Sequence, residues 1–326
     1  MEVIMVKIVK KALISVLITV LGISVAQAAY PDRPITLIVP WSAGGGSDTS
    51  MRMLAEQLSK DMPVPVVVVN KPGAGGALGT KAMCDAKPDG YTIGMVGSGV
   101  TGRQYSNPNA NILSDFTNIA FFGPEPAFLS AGAPTGIKTL KQFFDYAKAN
   151  PGKIKNGNDN PGGFSHVAAS VMEAKFGIKL TKVPYKGYAP TVVGLLSGEV
   201  DTVTVPVPNV IDHHKSGKLT ILGVADNQRH FMAPDVPTFK EMGYDFVLGS
   251  FRTIIGPNGI SADKLKYLEK KIIAAVSNPQ FQKKARNAGF NPQPMGAEET
   301  AKYIKEFDEM LYPVLLSAGL VKVRHK

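Results

Sequence analysis

Glycines supply the first chemistry in this chain. The stretch PWSAGGGSDTS, Pro40 to Ser50, follows the apolar run ITLIV and holds three glycines in a row. A second unit, VVVNKPGAGGALGTKA, repeats the order of apolar run, glycines and helix-forming residues. Glycine lets backbone amides approach a ligand closely, and the helix start that follows adds unpaired N–H donors and partial positive charge. Such a loop can cradle a phosphate, hold a carboxylate, form an oxyanion hole or turn a corner. Asp48, in the first helical turn after the first glycines, either caps the bare amides or reaches a ligand.

The spacing excludes some of these. Gly73-x-Gly75-x-x-x-Gly79 sits beside Pro72, and no acidic residue ends the next strand to hold a ribose, so a dinucleotide site is a poor fit. Neither glycine cluster ends in Gly-Lys-Ser/Thr, so there is no Walker loop. In NDNPGGFSHVAAS, Ser165 can cap a helix and His166 falls in its first turn. A helix N-terminus lowers the pKa of an imidazole, which favours His166 as a neutral hydrogen-bonder over a base. VPYKG offers the Tyr185 hydroxyl and the Lys186 charge at a strand end. Ser42, His166 and Asp48 are the residue types of a hydrolase, but the Gly-x-Ser-x-Gly elbow is absent. His213, His214 and His230 lack metal-ligand spacing with an acidic partner. No metal, no cofactor and no catalytic residue is expected.

The elements that must position these loops alternate. Apolar runs at 35–39, 64–69, 91–96, 118–123 and 127–132 form one strand set; 181–185, 200–205 and 219–225 form a second; 246–257 is one more. Short runs fenced by Gly and Pro are what buried parallel strands look like. Helical periodicity lies between them, as in TSMRMLAEQLSK and SHVAASVMEAKFG, and the chain ends in helices almost without strands. Such alternation predicts an α/β fold of doubly wound sheets, with ligands at the carboxyl ends of the strands. Two strand sets, a returning strand and a helical tail predict two lobes: 29–130 with 252–326, and 131–251. The chain would cross between them near 121–133 and again near 246–257.

The N-terminus carries Lys7, Lys10 and Lys11, then the apolar ALISVLITVLGISV, then Ala26-Gln27-Ala28. That order predicts a signal peptide over 1–28, cleaved after Ala28, with no lipid anchor because no cysteine adjoins the cut. The apolar run is shorter than the roughly 20 residues of a spanning helix. Cys84 is the chain's one cysteine, so no intrachain disulfide holds the fold; it is expected as a small buried hydrophobe. Removing Lys7, Lys10, Lys11 and Glu2 takes two charges from the net +10, leaving +8. A positive exported protein favours anionic partners. The lysines alternate with acids and show no aromatic interleaving, so no nucleic-acid partner is expected and each run reads as a solvated helix face.

Six segments then line up in order with a known family: YPDRPITLIVPWSAGGGSD, VVVVNKPGAGGALGT, KPDGYTIGMVGSG, SHVAASVMEAKFGIKLTKVPYKGYAPTVVGLLSGEVD, KLTILGVADNQRHFMAPDVPTFKEMGY and GFNPQPMGAEE. They resemble the extracytoplasmic solute receptors of tripartite tricarboxylate transporters, the Bug receptors, from Tyr30 to the end. The resemblance implies a two-lobed periplasmic-binding-protein type II fold and a monomer. It implies a cleft ligand bearing carboxylates (a di- or tricarboxylate, an amino acid or an aromatic acid) delivered to membrane permease subunits. It implies that the loop Ser42 to Gly46, with Ser42, Ala43, Gly44 and Gly45 as its candidate ligand residues, and the helix start at Ser165 and His166 pinch one carboxylate through backbone amides and ordered waters. Ser98 and Gly99, in the third segment, join the candidate ligand residues. Trp41 stands where the family more often has Phe or Tyr, and Phe251 where Trp is frequent; both are expected to border the cleft. Pro206 and Val207 replace more polar residues. Tyr185 is expected to select the ligand, and Arg252 either grips a distal carboxylate in bidentate fashion or sits as a hinge-region surface arginine.

Overall fold

The structure, a computed structural model, describes residues 30–159 and 162–326. The expected signal peptide lies outside them. The fold is built within Arg33–Lys326 around two five-stranded sheets.

The first sheet contains β1 (Ile35–Val39), β2 (Val66–Asn70), β3 (Thr92–Gly97), β4 (Phe116–Pro126) and the late β10 (Gly249–Pro257), in the order β2-β1-β3-β10-β4. The second contains β5 (Phe128–Gly132), β6 (Lys155–Asn158), β7 (Thr181–Pro184), β8 (Thr202–Val205) and β9 (Leu219–Val224), in the order β7-β6-β8-β5-β9. β1 is parallel to β2 and β3, and β6 is parallel to β7 and β8. The expectation of parallel strands fails at two places. β10 is antiparallel to β3 and β4, and β5 is antiparallel to β8 and β9. A parallel neighbour needs a crossover connection, usually a helix. β5 instead follows β4 after Ala127 alone.

Helices α1 (Gly46–Asp61), α2 (Ala77–Cys84) and α3 (Gly99–Ser106) follow β1, β2 and β3. α4 (Leu140–Ala149), α5 (Phe164–Phe176), α6 (Tyr188–Leu196) and α7 (Ile211–Lys215) belong to the stretch between β5 and β9. The tail is α8 (Ala262–Ser277), α9 (Pro279–Asn287) and α10 (Ala297–Ser317). No helix among the described residues is long and apolar enough to cross a membrane.

Apolar burial explains most strands: Ile35, Leu37, Val39, Val203, Val205 and Val224 are wholly buried. β6 is different. Its sequence is KNGN, and Asn156 and Asn158 are nonetheless fully buried. Their amide nitrogens are paired sideways: Asn156 Nδ2 donates to Thr202 Oγ1 at 2.8 Å, and Asn158 Nδ2 to Asn156 Oδ1 at 2.6 Å. A reading of apolar runs passes over such a strand. The second glycine cluster is explained by packing. A Cβ on Gly79 would lie 2.6 Å from both Lys71 O and Pro40 Cα, so only glycine lets α2 settle against those backbones. Cys84 is half-buried, and burial pushes its thiol up to about 12.

Candidate functional site

The loop between β1 and α1 is held from beneath. Ser42, Ala43, Gly44 and Gly45 are exposed, while Asp48 is buried. Asp48 Oδ2 accepts from the Gly44 amide and from Arg52 Nε, each at 2.9 Å, and Oδ1 accepts from Asn70 Nδ2 at 2.9 Å. Asn70 Nδ2 also donates to Trp41 O at 3.0 Å, closing the ring of contacts. Burial alone would raise the Asp48 carboxyl, but hydrogen bonds from Arg52, Gly44 and Asn70 outweigh it and hold it below its ordinary value. Asp48 thus shapes the loop, and the Gly44 amide is spent on it. Gly45 caps α1 without a side-chain acceptor, so the first-turn amides from Gly46 onward are not taken by a cap. The Trp41 ring is half-buried against Gly76 and Gly97.

The second loop, between β6 and α5, follows the same plan. Asp159 Oδ1 accepts from Ser165 N at 3.1 Å, Ser165 Oγ at 2.8 Å and His166 N at 3.3 Å. Ser165 is fully buried, and its Oγ accepts from Asp159 N at 2.6 Å. His166 Nδ1 accepts from the Gly162 amide at 3.2 Å. Burial and then the Lys182 charge lower the His166 pKa, the expected direction with a different leading cause. Each of these two helices therefore starts beside a carboxylate of its own chain.

A family model described as tripartite tricarboxylate transporter family receptor matches residues 50–319. The chain belongs to that receptor family. Among its relatives, a UPF0065 protein in the gbd 5' region of Cupriavidus necator is 31% identical over 301 residues, covering 92% of each chain. The solved structure of the periplasmic binding protein BugD is 30% identical with a TM-score of 0.81, covering 90% of this chain and 99% of that one. An R. palustris protein, Rpa4515, solved with adipate, is 23% identical at a TM-score of 0.83 over 89% of this chain and 98% of its own. The receptor has the two-lobed fold of periplasmic binding proteins.

Several candidate residues of the receptor sit differently from expectation. Arg252 is neither a surface arginine nor an open cation. Its Nη1 lies 2.5 Å from Glu125 Oε1, its guanidinium carbon is 4.8 Å from the Phe290 ring centroid, and Nε has no hydrogen-bond partner among the described residues. Phe251 does not border a cleft. It is fully buried against Phe121, Tyr303 and Phe307. Neighbours on a strand point to opposite faces, so Phe251 and Arg252 could not both look the same way. Tyr185 turns back along α6, its hydroxyl over Gly194, and burial followed by the nearby Glu199 carboxylate raises it to about 12. Ser98 is buried and donates to Ser250 Oγ at 2.8 Å. Gly99, half-buried, opens α3 with the Arg103 guanidinium beside it. Pro206, buried, lines a void with Glu125, Pro208, His230 and Gly289 that is no larger than a single water. Ser42, His166 and Asp48 share no hydrogen bond among the described residues.

Sequence reasoning missed Arg103, Glu125, Asp159 and Tyr188. Burial pushes Glu125 up, opposed by the Arg252 charge and hydrogen bond. Burial, then the charges of Asp159 and Glu125, raise Tyr188 well above its ordinary value, with Arg252 opposing. These groups from both sheets therefore stand close enough to feel one another. The signal in the sequence was slight: single charged residues within GSGVTGRQY, FFGPEP and NGNDNPGG.

Proposed function

We propose that this receptor captures a small organic acid outside the cytoplasm, between its two lobes, and delivers it to the permease subunits of a tripartite tricarboxylate transporter, without catalysing a reaction. One observation carries the reading. The loop Ser42–Gly45 is exposed while Asp48 grips it from within, which leaves the first-turn amides of α1 as a preformed anion seat. Family membership supports it, as do the solved relative with adipate and another with bound malate. In this reading the amides of Ser42, Ala43, Gly45 and Gly46 meet the ligand carboxylate, and Trp41 bounds the seat. Ser98 and Gly99 extend this wall, and Ser165, His166 and Pro206 frame the opposite one, through backbone and packing. Asp48 and Arg252 position these walls, and Tyr185 supports α6 from behind.

Lobe closure on the ligand would dry the seat and strengthen each charge-assisted hydrogen bond. The test is a thermal-shift screen against succinate, malate, adipate, citrate, aspartate, glutamate and benzoate. A ligand at a hundred times its dissociation constant adds about 2.7 kcal/mol of stability. A clear shift with one class, with a smaller radius of gyration in solution scattering, is the expected result. No shift with any acid, and no acid released on denaturing the purified protein, would end the proposal.

A further inference from the structure

Arg103 is a buried cation whose side chain has no hydrogen-bonding partner among the described residues. The residue is 6% exposed. A Cβ on Gly99 would lie 2.6 Å from its Nη1, so the side chain runs back along α3 and lays its guanidinium over the helix start. That end of a helix carries partial positive charge and disfavours a cation. Burial pulls the guanidinium down to about 10, and the charge of Asp159 is what opposes it. No hydrogen bond or ion pair to its side chain is formed among the described residues. Asp159 holds no ion pair with it among the described residues, and its Oδ1 is committed to the start of α5, accepting from Ser165 N, Ser165 Oγ and His166 N.

The place of this cation is specific. α3 follows β3 of the first sheet, and Asp159 follows β6 of the second. α3 meets the second lobe directly there: a Cβ on Gly102 would lie 2.8 Å from Gly162 O. Arg103 therefore stands where the two lobes face each other, beside Gly99 and within the field of the Asp159 carboxylate. An unpaired buried charge is costly, and no anion among the described residues forms an ion pair with it.

We propose that Arg103 is a specificity-determining residue of the receptor, its fork of N–H donors gripping a ligand carboxylate between α3 and the start of α5. The proposal rests on the organic-acid reading above and names the side chain that reads the acid. Main-chain amides accept many anions. A planar guanidinium adds a bidentate requirement that suits a carboxylate held at one angle.

The test takes the acid that shifts wild type most in the screen and titrates it calorimetrically into wild type, Arg103→Gln and Arg103→Lys. The glutamine variant is expected to bind about 30–100-fold more weakly and the lysine variant about tenfold, since lysine keeps the charge and loses the fork. Ligand-free Arg103→Gln is expected to melt at or above the wild-type temperature, because it removes an unpaired buried charge. If Arg103→Gln fails to fold, Arg103→Lys carries the titration. Binding by either folded variant within threefold of wild type would overturn the proposal and leave the receptor reading standing. So would a ligand-free destabilisation of Arg103→Gln that accounts for its whole loss of affinity. A wild type that binds no acid overturns the organic-acid reading, and the role of Arg103 falls with it.

Discussion

Glu125 Oε1 lies 2.5 Å from Arg252 Nη1, with the two side chains only 10% and 4% exposed. β4 ends the first passage through its sheet and β10 begins the return, so this pair ties the outgoing and returning strands together. Removing one partner of a buried pair leaves a bare charge behind. Glu125→Gln is expected to cost about 3–5 kcal/mol in urea unfolding. Glu125→Leu with Arg252→Met is expected to cost less than either single change. Equal, additive losses would mean that the pair is not a unit.

Asp48 should impose an acid limit on the first lobe. Its folded pKa lies below the ordinary 3.8, because three hydrogen bonds to the carboxylate outweigh burial. The native state therefore favours the charged form. The stability this lends is present above 3.8 and is lost as pH falls through the lower folded value. Melting temperatures of wild type and Asp48→Asn between pH 6 and pH 2.5 test this. The variant is expected to be less stable near neutrality by about 1–3 kcal/mol, and to show a flatter acid limb. Parallel curves would remove Asp48 as the cause.

His230 packs edge-on against Phe128, with ring centroids 5.5 Å apart, and beside Phe231. Burial, then the Arg286 charge, pushes its pKa down to about 4. The folded value is depressed, so the neutral imidazole stabilises the fold above the ordinary 6.5, and that stability is lost as pH falls toward 4. A nuclear magnetic resonance titration of the His230 ring should give a midpoint near 4. A midpoint at the ordinary 6.5 would contradict the packing.

Gly99 should matter for ligand and little for fold. Its added Cβ meets only the far end of a flexible side chain, the Arg103 guanidinium. Gly99→Ala is expected to swing that group aside and weaken acid binding by about tenfold, the worth of one charge-assisted hydrogen bond. Its melting temperature should stay near wild type. Unchanged affinity in a folded variant would show that the guanidinium position is immaterial.

The sequence by itself determined the alternation of strands and helices, the glycine loops after β1 and β2, and the helical tail. These are local properties: apolar period, caps and breakers act within a few residues. The polar strand β6 escaped that reading because its asparagine amide nitrogens pair with side chains, Asn158 with Asn156 and Asn156 with Thr202, a partner on another strand.

Only the tertiary structure decided which face each residue presents and which charges meet. Arg252 looked open in sequence because Glu125 lies far away along the chain. Phe251 and Arg252 could be sorted only once α10 covered one face of β10. Asp48 turned from a possible ligand contact into the clasp of its loop when Asn70, from the next strand, closed on it. Arg103 carries no motif at all. Its burial exists only in the folded chain, and desolvation is a property of what surrounds a residue rather than of its neighbours in sequence.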